Sequence, residues 1–193
     1  MLAKTSWEKV VRAVLYFLGC LSDLDIKWLV SSGRALSFDE GETLVVAGTP
    51  LTDVFFLMEG ELSVRVGTSG DQEVNRMKYG EFFGEISFLD SRPPSTTVVA
   101  VTPVRVLAMD RHDIEGKLDR DAEFGARFFR GIGVLLANRI RGLIQHVDES
   151  EEIDLYADEV AGELDPDLLD TINLAGRRFD LMLDLFRDSL SRG

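Results

Sequence analysis

Residues 84–100 read GEISFLDSRPPSTTVVA, and the organisation of the chain turns on them. A glycine and a carboxylate open a short helical stretch, two adjacent prolines make a loop, and a β-branched run follows. A helix opening of this kind points backbone N–H groups at an anion. The stretch therefore has the form of a phosphate cradle. Such a cradle ordinarily carries a cation aimed at the anion, yet Pro93 and Pro94 stand where one is wanted.

On both sides of this stretch, from Arg34 to Asp110, the chain has strand periodicity. The runs ALSFDEGETLVVAG, DVFFLMEGELSVRV, EVNRMKYGEFFG and STTVVAVTPVRVLAMD are β-branched or aromatic and are separated by turn residues. Gly41, Gly60, Gly67, Gly70 and Gly80 fall where turns require positive φ. Compact antiparallel β-structure is predicted.

Helical patterns flank it. Residues 5–19 have Thr5 and Glu8 at capping-box spacing and an apolar face of Trp7, Val10, Val11, Val14, Leu15 and Leu18, with Gly19 as terminator. Charged residues interrupt this stretch, so it predicts an amphipathic helix and not a signal peptide. A second short helix is predicted from a Ser22 cap to Gly33 as the C′ residue.

Beyond Asp110, RHDIEGKLDRD predicts a short helical connection and residues 122–147 a long helix. Phe129, Ile132, Leu136, Ile140, Leu143 and Val147 recur in steps of three and four, as in the seam to a second helix. Gly125, Gly131, Gly133 and Gly142 each weaken this helix by up to about 1 kcal/mol relative to Ala, so packing must compensate. The stripe either covers the β-structure or pairs with a second copy; pairing is the expectation.

Residues 148–164 are acidic and lack apolar periodicity, as a linker does. Asp165 and Pro166 then form an N-cap and first-turn proline. They open a helix with Leu169, Ile172, Phe179, Leu183, Phe186 and Leu190 on one face. That face either folds back on its own domain, clasps a dimer partner or recognises another protein.

Composition bounds the function. The 193 residues carry a formal net charge of −13, and 14 acidic against 4 basic residues lie from Asp148 onward. Such a field repels duplex phosphates, so no DNA partner is expected. No apolar run has the roughly 18 residues of a membrane span. The single Cys20 excludes an intrachain disulfide and fits a cytoplasmic setting. His112 and His146 lack a third ligand at metal spacing, and no nucleophile–base arrangement or P-loop stands out; neither a metal nor an enzyme is expected.

The order of elements, with FGEIS set between the β-roll turns and STTVVA, resembles the cyclic nucleotide-binding domain family over roughly residues 15–147. The resemblance implies an α+β fold: an antiparallel, jelly-roll-like β-roll. It would comprise N-terminal helices (1–33), the roll (34–110) with its cassette at 82–98, a hinge and long dimerisation helix (111–147), the acidic linker and a C-terminal helix (165–193). It also implies a ligand site at Gly84, Glu85, Ile86, Ser87, Arg92, Pro94, Ser95 and Thr96 for a cyclic nucleotide, cAMP or cGMP, with no other cofactor. In the family the glutamate accepts a hydrogen bond from the ribose 2′-hydroxyl, and an arginine pairs with the cyclic phosphate. Glu85 keeps the first place, while Pro94 holds the second. Arg92, two residues upstream, would have to reach in from a loop that the prolines stiffen. Phe128, Phe129 and Asn138 of the long helix are candidate base contacts. Activator-type relatives add a basic winged helix-turn-helix after the long helix, and here only the acidic linker and one helix follow.

Two function classes are thus open. One is a non-enzymatic homodimeric module that senses a cyclic nucleotide or related ligand weakly and signals through helix packing. The other is a ligand-independent scaffold acting through the seam helix and C-terminal arm.

Overall fold

The computed structural model describes Leu15 and residues 17–67, 72–148 and 166–191. Most of the predicted first helix, Gly70, and the acidic segment from residue 149 through the Asp165 cap lie outside them.

Strand β3 (Asp53–Glu59) sets the layering. Its VFFLM run is buried throughout, because alternate side chains enter two different cores. Phe55 and Leu57 point between two sheets, where they join Leu62, Val64, Met77, Val98 and Val106. Val54, Phe56 and Met58 point the other way, into a core shared with helices. A strand covered on both faces needs a continuous apolar run, as VFFLM is.

The sheets each have four antiparallel strands. One has the order β1-β8-β3-β6, with β1 (Arg34–Phe38), β8 (Val104–Asp110) and β6 (Phe82–Phe83). The other has the order β2-β7-β4-β5, with β2 (Thr43–Val45), β7 (Thr97–Ala100), β4 (Glu61–Val66) and β5 (Gln72–Lys78). Gly60 alone joins β3 to β4, at φ +90°; a Cβ there would lie 2.4 Å from the Pro103 carbonyl oxygen. The α+β roll is as expected.

Helix α1 (Asp23–Ser32) starts at a capping box: Asp25 N donates to Ser22 Oγ, and Ser22 N donates to Asp25 Oδ2. Gly33 does end this helix, but at φ −80° and not in the expected left-handed conformation. Glycine is required there by space, since a Cβ would meet Leu107 Cδ1 at 2.5 Å and Met109 Sδ at 2.8 Å. Before α1, residues 17–20 are helical, so the turn continues past Gly19.

After β8 come α3 (Arg111–Arg120) and the 27-residue α4 (Ala122–Asp148), α2 being the cassette helix (Glu85–Asp90). The buried face of α4 is Phe124, Phe128, Ile132 and Leu135, packed on the helix-side core. Of the predicted stripe, Ile132 is internal and Leu136 half-buried, so this part covers the chain's own core, while Phe129 and Ile140 are exposed, at 49% and 55%. The side chains of Leu143 and Val147 lie outside the described residues. Gly131 admits Phe17, whose ring would stand 2.7 Å from a Cβ.

Helix α5 (Pro166–Ser191) folds back on its own domain, with Ala175, Phe179, Met182 and Phe186 in the helix-side core. The buried face is rotated from the predicted one, since Met182 is internal, Leu183 half-buried and Leu190 exposed. The side chains of Leu169 and Ile172 lie outside the described residues. Arg178 ties the helix down by donating to the Leu18 and Gly19 carbonyls at 3.2 and 2.9 Å and to Asp23 Oδ1 at 3.2 Å. Among the described residues, no helix is long and apolar enough to cross a membrane.

Asp25 also accepts from Arg127 Nε at 2.7 Å and Nη2 at 3.0 Å, which joins α1 to α4. Burial alone would raise its pKa, but the hydrogen bonds from Arg127 and Ser22 outweigh it and hold the carboxyl below its ordinary value. The bridge therefore stabilises the fold above the unfolded carboxylate pKa of ~4, and that stability is lost as pH falls through the lower folded value. Asp25→Ala should cost about 2–4 kcal/mol at pH 7 in denaturant melts, with the difference shrinking as the pH falls below the unfolded carboxylate pKa of ~4 and through the lower folded one. An unchanged gap in acid would contradict this linkage.

Candidate functional site

Gly84 opens the site. It is the N-cap of α2 at φ +90°, and a Cβ would lie 3.0 Å from the Asp53 carbonyl oxygen and 3.3 Å from Leu51 Cδ2. Only glycine satisfies both the turn and the contact with β3. Strand β6 therefore leads directly into α2, with Glu85 as the first helical residue.

Glu85 is buried, 2% exposed, and its carboxylate is bound by Arg139 of α4. Arg139 Nη2 also donates to the Phe82 carbonyl at 2.7 Å. Burial pushes the Glu85 pKa up, and the Arg139 guanidinium opposes that rise. The long helix is thus fastened to both ends of the β6–α2 turn by one side chain. Phe88 adds an edge contact to Phe128, with centroids 5.8 Å apart.

The far end of α2 is held by Arg111, the first residue of α3. Its guanidinium donates to the Ser87 and Phe88 carbonyls at 3.3 and 3.1 Å and to Ser91 Oγ at 2.7 Å. It also bonds Glu115 Oε1 at 2.7 Å. Orphan carbonyls at a helix end need such a partner.

A cavity of about 320 Å³ opens beside α2. Gly84, Glu85, Ile86, Ser87, Arg92, Pro94, Ser95 and Thr96 all line it, so the structure brings the eight candidate residues to one wall system. Ile86 is 59% exposed and Ser87 is buried. Val45, Leu51, Val64, Met77, Phe83 and Val98 add an apolar portion of the wall, and Asp90, Pro93 and Arg139 complete it. Arg92 lies along the rim with a side chain 84% exposed, its Nε 3.9 Å from Asp90 Oδ2. Pro94 is fixed by Gly48 N, which donates to its carbonyl at 2.8 Å.

The long-helix candidates do not line this cavity. Phe128 is 1% exposed in the helix-side core, Phe129 faces outward, and Asn138 Oδ1 accepts from Arg141. Arg139 lines it instead and was missed by sequence reasoning. Its signal was present: Arg139 follows Ile132 by seven and Leu135 by four, which puts a cation on a buried helix face. A charge in that place requires a partner.

A model of the cyclic nucleotide-binding domain family matches residues 35–121. A curated protein of Rhodopseudomonas palustris, named as a potassium channel protein, is 30% identical over 116 residues; the match covers 60% of this chain and 28% of that protein. The catabolite activator protein of Thermus thermophilus has the same fold with a TM-score of 0.59 and 22% identity, over 69% of this chain and 62% of that one. A cyclic nucleotide-binding domain from Methylobacillus flagellatus has a TM-score of 0.63 and 18% identity, over 80% of this chain and 86% of that one. The chain thus spans less than two thirds of both the channel protein and the activator. The glycine-opened cassette helix and the buried Glu85 both fall inside residues 35–121, the segment that matches the cyclic nucleotide-binding domain family, and the structure of that segment has the fold shared by these solved domains.

Proposed function

We propose that the chain is a non-catalytic regulatory module that binds a cyclic nucleotide or related ligand weakly and transmits occupancy through helix packing. One observation carries the reading: Glu85, on the cavity wall, is bonded to Arg139 of α4. A ligand hydroxyl that competes for Glu85 would act directly on the seating of the long helix. Weakness follows from Pro94, because a charge-assisted contact contributes about 1.5–3 kcal/mol and none is supplied from that position. Thermal-shift and calorimetric titrations with cyclic AMP and cyclic GMP test it, since a ligand at 100 times its Kd stabilises by about 2.7 kcal/mol. No shift at millimolar ligand would sink the reading.

The scaffold alternative retains one supporting feature, the exposed part of α4. Phe129, Gly133 and Ile140 leave an apolar strip beside the half-buried Leu136. In the proposed module this strip joins a second copy. Phe129→Asp with Ile140→Asp should convert dimers to monomers in light scattering while leaving the melting temperature of the roll nearly unchanged. A monomeric wild type would refute the pairing.

A further inference from the structure

The charges around the cavity bear on what it selects. Four ionisable side chains line it: Glu85 and Asp90 are acidic, Arg92 and Arg139 basic. Each cation already faces an acid. Arg139 is bonded to Glu85, and Arg92 lies against Asp90 with its own backbone N–H also donating to the Asp90 carboxylate at 3.0 Å. The lining thus holds two acids and two bases with no surplus of positive charge, inside a chain of net charge −13. A phosphate anion would enter with an uncompensated charge, and an uncharged ligand would not.

Much of the rest of the lining is apolar. Val45, Val64, Met77 and Val98 come from the roll, and Pro93 and Pro94 from the loop after the cassette helix, a surface suited to the apolar faces of a heterocycle. Hydroxyls are the polar groups at hand, on Ser87, Ser95 and Thr96, and a carboxylate such as Glu85 has about four acceptor sites. A volume of about 320 Å³ lies at the lower end of the range for small-molecule pockets, ~300–1,000 Å³.

Building on the ligand-binding reading above, we infer that the cavity prefers an uncharged nucleoside-like molecule, a planar heterocycle bearing hydroxyls, over the corresponding cyclic phosphate. This inverts the usual ranking of an anion-binding cassette. The preference rests on charge balance, so it holds for either purine base.

The experiment is calorimetric titration of the full chain with adenosine, guanosine, cyclic AMP and cyclic GMP, with amide shifts of residues 84–87 and 95–96 placing the binder. At least one nucleoside should bind about tenfold or more tightly than its cyclic nucleotide, the scale of one uncompensated, partly solvated charge. Its affinity should also change little between low and moderate salt. A tighter cyclic nucleotide overturns the inference, and so does silence from both nucleosides at millimolar concentration. Pro94→Arg separates the two levels of the argument. If that variant takes up cyclic AMP while the wild type binds no nucleoside, the cassette reading stands and the preference for an uncharged ligand is wrong. If the variant also binds nothing, both are wrong.

Discussion

Pro94→Arg should raise the affinity for cyclic AMP or cyclic GMP by about 30- to 1,000-fold, ~2–4 kcal/mol, the range of one partly desolvated charge-assisted contact. The backbone at this position is already anchored, because Gly48 N donates to the residue-94 carbonyl and that bond survives any side-chain change. An arginine there would add a guanidinium that the Glu85–Arg139 and Asp90–Arg92 pairs leave unmatched. Loss of the proline frees the unfolded chain and subtracts about 0.4–1 kcal/mol from stability, which the melting temperature reads separately. In the Pro94→Arg background, Glu85→Ala should take back much of the gain, since a ligand hydroxyl loses its acceptor. Two results would count against this account. Micromolar cyclic-nucleotide binding by the wild type that disappears in Arg92→Ala would assign the anion to the rim arginine. No gain in Pro94→Arg would mean that the cavity excludes the ligand for another reason.

The second large effect concerns the C-terminal helix. Phe186 is 1% exposed and packs in the helix-side core with Phe179 and Met182. Phe186→Ala should lower the unfolding free energy by about 3–5 kcal/mol, combining lost transfer energy with the cavity left behind. A free arm awaiting a partner would show no such cost. The anchorage is double: Phe179 stands 6.1 Å from the Tyr79 ring at the turn before β6, and Arg178 closes the carbonyls of Leu18 and Gly19. Chemical denaturation with a single transition that moves to lower denaturant would establish α5 as part of the cooperative unit. An unmoved transition would return it to the status of an appendage.

The local chemistry of the sequence was enough for the strands, their turns and the cassette. β-branched and aromatic runs between glycines mark strands and turns, the family resemblance implied the roll, and Gly84 followed by Glu85 marks the opening of a short helix. Proline at 94 is equally a local fact. What only the tertiary structure decided is which face of each amphipathic helix is buried. A stripe with three- and four-residue steps is the same pattern whether it meets a sheet or a second copy, so Ile132 and Met182 were assigned by packing. Gly33 is explained by the approach of Leu107 and Met109, from strand β8 more than seventy residues away. Arg139 and Glu85 are 54 positions apart, and no periodicity connects them. Their pairing arises because a carboxylate desolvated under the roll requires a nearby cation, and the crossing of α4 over α2 determines which one is in reach.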